Sequence, residues 1–221
     1  MHVFRHARLL LPESPRARAV GRLDRHERAW WLAPSMLSTG AVALIGIAVA
    51  LASGRDPLVT TPWIEGPRIV RILWSLLAGA FVGVGAVVLT KELVRRSTVG
   101  KALARELALG FRSRKVSVLV VQAFLTGVSE ELLFRGALTP LIGVVLSSIL
   151  FGLVHQMRGR GRLLWAASSA AVGCAFALVY VASGELVGAI GAHVFINVVN
   201  ALYLRGSFAS LAPHRDVRVQ S

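Results

Sequence analysis

Three sets of polar residues interrupt otherwise apolar stretches of this sequence. Residues 129–136 read SEELLFRG and place Glu130, Glu131 and Arg135 directly after the run VSVLVVQAFLTGV. Successive helical residues point about 100° apart, so the two glutamates cannot share a face. Glu131 and Arg135 are spaced i,i+4 with the acid first, the favourable order for an ion pair. Glu130 is then left without a local cation and is available as a general base or acid. A second stretch, FGLVHQ, carries Phe151 and His155 at i,i+4. A third, GAIGAHVFINVVN, carries His193 and Asn197 at i,i+4, with Asn200 one turn later. Gly188 and Gly191 precede that pair and permit close helix approach. A carboxylate, an imidazole and an imidazole with an amide amount to a base, its partner and donors for an oxyanion. Such a set could activate water against a peptide carbonyl. The competing reading is a polar lock that hydrogen-bonds helices together.

The elements that must position these residues are membrane helices. The chain has 221 residues, 55% hydrophobic and only 16% charged, with a mean hydropathy of +0.64. Soluble domains are nearer a quarter charged. We expect an all-α polytopic membrane bundle of about six transmembrane helices with both termini cytoplasmic. The predicted spans are 35–53, 70–90, 116–137, 140–156, 163–182 and 186–204. Lys and Arg set the orientation. Residues 1–34 carry seven, 91–115 eight, 157–162 three and the tail after 204 three, against only Arg55, Arg68 and Arg71 on the other side. This asymmetry fits the positive-inside rule. It also accounts for the net charge of +14 without nucleic acid, since no nucleic-acid fold signature accompanies the basic residues.

Helix length puts the glutamates inside the membrane. Residues 116–129 reach only about 21 Å as a helix, too short for a hydrocarbon core about 30 Å thick. Extension through Leu132, Leu133 and Phe134 repairs the deficit and buries the cluster, where an ionisable group marks a functional site by default. Depth counting then raises a conflict. At about 1.5 Å per residue, Glu130 and His193 fall about 9–14 Å below the outer face and His155 about 22 Å. Tilt, a dipping 137–142 turn, or a helix broken near Gly136 and Pro140 must close that gap.

The expected organisation is a basic cytoplasmic leader (1–34), two N-terminal spans (35–90), a basic cytoplasmic linker (91–115), a core holding the polar sets (116–204) and a cytoplasmic tail (205–221) that ends in the disordered stretch APHRDVRVQS. No cleavable signal peptide is evident, because ARLLLPE is too short for an apolar signal core. The linker KELVRRSTVGKALARELALGFRSRK has the spacing of an interfacial amphipathic helix. A solvated connector is its default reading and substrate docking the alternative. The single cysteine, Cys174, excludes an internal disulfide and reads as a small packing residue. The helix motif HExxH of many zinc proteases is missing: His26-Glu27 is followed by Trp30 and Trp31.

At these residues the sequence resembles a known family. EELLFR fits the motif EExxxR, FGLVH fits FxxxH, and HVFIN fits HxxxN. These are, in order, the motifs of the CPBP family: type II CAAX prenyl proteases, Abi proteins and bacteriocin-processing relatives. The resemblance covers roughly residues 116–204. It implies an intramembrane endopeptidase in which Glu130 activates water with His155, Glu131 and Arg135 shape the site, and His193 and Asn197 bind the oxyanion. It leaves the metal question open. Glu130, His155 and His193 could ligate zinc or another divalent metal, and a glutamate-dependent mechanism without metal is the rival. No organic cofactor is expected. The expected partners are membrane lipid and a membrane-associated protein or peptide substrate, and the expected location is the cell membrane. A non-catalytic immunity or regulatory protein of the same fold is the main alternative. A small proton-coupled transporter fits less well, because no inverted repeat is visible.

Overall fold

The computed structural model describes residues 32–111, 114–155 and 161–207. Nearly all of the basic leader, most of the tail, and Arg158 and Arg160 lie outside the described residues. The chain divides into two units, 1–38 and 39–221. In the first, only the opening turns of a helix are described.

Every regular element among the described residues is helical: α1 (Leu32–Ala52), α2 (Arg68–Arg96), α3 (Thr98–Phe111), α4 (Val116–Glu131), a π-helical segment (Leu132–Leu138), α5 (Thr139–Val154), α6 (Arg162–Ser183) and α7 (Val187–Ser207). The all-α bundle expected from composition is the fold observed. Among the described residues, Arg68–Arg96, Val116–Val154, Arg162–Ser183 and Val187–Ser207 are long and apolar enough to cross a membrane. Their outward faces carry large apolar side chains such as Leu77, Phe81, Leu89 and Leu163, each more than 70% exposed. Lipid is the solvent that accepts such a surface.

The expected six spans need correction in one place. The first, 35–53, falls on α1, whose 21 residues reach about 31 Å as a helix. The predicted spans 116–137 and 140–156 are two arms of one hairpin whose tip lies later than expected. Helical geometry runs through Gly136 and Pro140 and breaks only at Gly143 (φ 83°, ψ 168°). Pro140 directly follows the π-helical segment, which has already departed from the i→i−4 pattern that a proline interrupts. The π-helical segment carries the chain past Gly136, and Thr139 Oγ1 donates to the Phe134 carbonyl at 2.9 Å. The backbone at Gly143 occupies a region open essentially to glycine alone. There the chain reverses: Thr139 Oγ1 and Ser147 Oγ lie 2.9 Å apart, whereas a straight helix would separate them by about 12 Å. The returning arm, 144–154, spans only about 16 Å.

Small residues hold the bundle together, as expected where lipid removes the hydrophobic drive between helices. Ser75, Gly79 and Gly83 form a buried stripe on α2 that meets Gly188 and Ala192 of α7. A methyl group on Gly79 would strike the Gly188 carbonyl, and one on Gly188 would strike that of Ser75. At the end of the bundle poor in basic residues, the 183–186 turn is buried beneath the 57–64 segment. Thr60 N–H donates to the Gly184 carbonyl at 3.0 Å and Leu186 N–H to that of Leu58 at 3.0 Å. Arg68 and Arg71, two of the three arginines on the sparse side, reach the buried Glu185 at 3.0 and 3.4 Å.

The 98–111 part of the linker is α3. Gly100, Leu103, Ala104 and Ala108 form its buried face, while Lys101 and Arg105 are exposed. Ala104 and Ala108 pack with Leu204 of α7. The default of a solvated connector is therefore wrong for this stretch, because its apolar stripe is covered by the bundle.

Candidate active site

The hairpin register brings the first two polar sets together. Thr139 faces Ser147, the Phe134 and Phe151 rings meet edge to face with centroids 5.0 Å apart, and Glu130 Oε2 lies 3.5 Å from His155 Nε2. Each pair is centred on Gly143 or on the bond between Ile142 and Gly143. Counted from this tip, Glu130 and His155 both lie about 18–20 Å down their arms. The depth conflict disappears, because its cause was a tip placed too early.

His155 is not on the helix, as its spacing from Phe151 had suggested, but caps it with non-helical backbone (φ −83°, ψ 48°). Its Nδ1 lies 2.6 Å from the Phe151 carbonyl. That contact requires a proton on Nδ1, which a carbonyl cannot supply, so the neutral ring turns the Nε2 lone pair toward Glu130. Phe151 still packs on it, with ring centroids 4.3 Å apart.

Glu131 and Arg135 form the expected pair, Nη1 to Oε1 at 2.8 Å, with side chains 0% and 1% exposed. Arg135 Nη2 also donates to the Gly173 carbonyl at 2.9 Å. Its guanidinium lies over the rings of Phe151, Phe176 and Phe134 at 4.3, 5.3 and 5.8 Å. Hydrogen bonds and aromatic faces together accommodate a charge removed from water. Gly173 and Phe176 lie on α6, outside every motif, and sequence spacing did not point to them.

Glu131 does a second task. His193 Nδ1 lies 2.7 Å from the same Oε1, so Glu131 fixes this ring as the Phe151 carbonyl fixes that of His155. His193 Nε2 is consequently aimed at Glu130 Oε2, 3.7 Å away. That oxygen is shut from solvent and accepts no hydrogen bond. Two imidazole nitrogens thus flank one carboxylate oxygen, each just beyond hydrogen-bonding distance.

Glu130, His155, His193 and Asn197 line a common cavity of about 350 Å³. Most of its wall is apolar and includes Leu103, Leu107 and Phe111 of α3, Trp165 of α6 and Leu204 of α7. All six expected site residues therefore converge: four on the cavity, with Glu131 and Arg135 behind them. Both Nδ1 atoms are anchored in the manner of metal-ligating histidines. Even so, among the described residues no group of three or more His, Cys, Asp and Glu side chains is arranged to hold a metal ion.

The Glu-Glu-Arg, His and His-Asn residues are thus gathered among helices long and apolar enough to cross a membrane. Residues 112–199 match the family model described as type II CAAX prenyl endopeptidase Rce1-like, which supports assignment of this segment to the CPBP/CAAX protease family. The matched segment begins just before α4 and ends within α7, so it contains the hairpin and every motif residue. Neither curated proteins nor solved structures gave a match. The family carries protease activity in general, and the apolar helices make this a multi-pass membrane protein.

Proposed function

We propose that this chain is an intramembrane endopeptidase of the cell membrane. It hydrolyses a peptide bond in a membrane-associated protein or peptide, using water activated by Glu130. The observation that carries this reading is the unpartnered Glu130 Oε2, faced by His155 Nε2 at 3.5 Å and His193 Nε2 at 3.7 Å. One water in the cavity would lose a proton to the Glu130 carboxylate, whose side chain is 21% exposed there, and add its oxygen to the scissile carbonyl carbon. His155, with Nδ1–H held by Phe151, orients that water through its Nε2 lone pair.

The tetrahedral oxyanion takes hydrogen bonds from the Asn197 amide and from His193 when both its ring nitrogens carry protons. Glu131, already on Nδ1, stabilises that imidazolium. Glu130 then passes its proton to the leaving nitrogen, the C–N bond breaks, and the new acid gives its proton to the new amine, so that a carboxylate and an ammonium group are released. General-base catalysis contributes about 10²–10⁴-fold, so Glu130→Gln should lower cleavage by at least about 100-fold without loss of folded protein. Unchanged cleavage would remove Glu130 as the base.

A further inference from the structure

The cavity contains a second set of polar side chains that water activation does not use. On α4, Gln122, Thr126 and Glu130 are spaced i,i+4,i+8 and share one face, and all three line the cavity. On α7, His193, Asn197 and Asn200 are spaced i,i+4,i+7 and also line it. The two helices run antiparallel over their length. Glu131 meets His193 at 2.7 Å, Gly127 packs on Val194, and Arg205 Nε donates to the Arg114 carbonyl at 3.1 Å near the arginine-rich end. This register sets Thr126 level with Asn197, and Gln122 level with Asn200. Two polar rows thus lead away from Glu130 through an otherwise apolar space.

Polar residues between membrane helices ordinarily bond to one another, but these do not. No hydrogen bond joins the two rows among the described residues. Gln122 Oε1 accepts from Arg114 Nη1 at 2.5 Å, which fixes the amide and leaves its NH₂ free to donate. Asn200 Oδ1 is buried with no partner. An orphaned amide in an apolar cavity is costly unless a ligand completes it.

We infer that Thr126, Gln122 and Asn200 bind the main chain of an extended polypeptide on the arginine-rich side of the scissile bond. A helical peptide satisfies its own N–H and C=O groups and has nothing to offer these rows. An extended peptide shielded from water has unpaired groups at every residue. The distance from Glu130 to Gln122 along α4 is about 12 Å, room for about four extended residues. The apolar walls receive their side chains, so recognition is largely independent of sequence. The site accepts unwound chain and rejects intact helix.

This inference rests on the peptidase reading above, and its test separates the two. The probe is a fluorescein-labelled, fully randomised octapeptide library, titrated against the full chain in detergent. The protein carries Glu130→Gln, so that binding is read without turnover. We expect saturable binding that weakens about tenfold with Thr126→Val and again with Asn200→Leu, the scale of one lost hydrogen bond each. Thr126→Ser, which keeps the hydroxyl, should restore the affinity. Absence of library binding would overturn the inference. So would Thr126→Val and Asn200→Leu proteins that bind as tightly as their parent, or a serine variant no better than valine. An internally quenched form of the library, given to protein with Glu130 intact, should show the two substitutions acting on KM rather than kcat. If Glu130→Gln still cleaved that form, the base assignment would fall while the binding comparison stood.

Discussion

Glu130 and His155 sit on opposite arms of one hairpin, thirteen and twelve residues from Gly143, and meet with Oε2 and Nε2 3.5 Å apart. The base and its partner are thus set by the position of a single turn. Gly143→Ala places a Cβ on backbone with φ 83° and ψ 168°, a strain of about 1–3 kcal/mol. Relief of that strain shifts the short arm. Turnover should fall at least about tenfold, since a misplacement near 1 Å can cost far more. Thermal melting and turnover measured on one preparation check this. Full activity in the alanine variant would show that the turn does not set the site.

The two adjacent glutamates should respond differently. Glu130→Gln removes chemistry and leaves the melting temperature near that of the parent. Arg135→Met strands Glu131 at 0% exposure, and breaking such a buried pair costs about 3–5 kcal/mol. The double variant Glu131→Leu with Arg135→Met should regain much of that loss, because a well-packed apolar pair often matches a buried ion pair. It should remain inactive, since His193 Nδ1 has lost its acceptor. Melting curves and cleavage assays on the three proteins separate the roles, and an active double variant would contradict them.

Gly188 tests the seam between α2 and α7. Its added methyl group would strike the Ser75 backbone carbonyl, which cannot rotate away. Gly188→Ala should destabilise by about 1–3 kcal/mol, the usual range for overpacking. At Gly191 the same space is open, so Gly191→Ala should melt like the parent. Equal melting of both alanine variants would argue against a close seam.

Metal dependence has a direct measurement. Water activation by side chains alone predicts that dialysis against EDTA leaves cleavage unchanged. Activity lost on dialysis and restored by zinc would instead make Glu130, His155 and His193 ligands.

Motif spacing predicted which side chains meet, but not the path that brings them together. Glu131–Arg135 was readable because an i,i+4 pair depends on local geometry alone. The tip was not, because Pro140 reads as a helix breaker while Gly143, within PLIGVV, reads as an ordinary membrane glycine. The π-helical segment adds no sequence mark of its own, yet it carries the chain past Gly136. Near-equal counts from Gly143 to Glu130 and His155, thirteen and twelve, were the available signal, once the two were assumed to touch. Gly173 and Phe176 were beyond reach, since nothing in their spacing tells of Arg135 on another helix. The apolar stripe of α3 was visible as amphipathic, but what covered it was tertiary.

The short returning arm also bears on how the site empties. It stops at Val154, and α6 begins at Arg162, only three residues before Trp165, whose ring lies 6.1 Å from that of His155. Among the described residues, His155 therefore stands between the end of one helix and the first turn of the next. Peptide hydrolysis creates two charged termini where charge is least welcome. A site at helix ends rather than helix middles gives the newborn carboxylate and ammonium a short way to water, and gives the next water molecule a short way in.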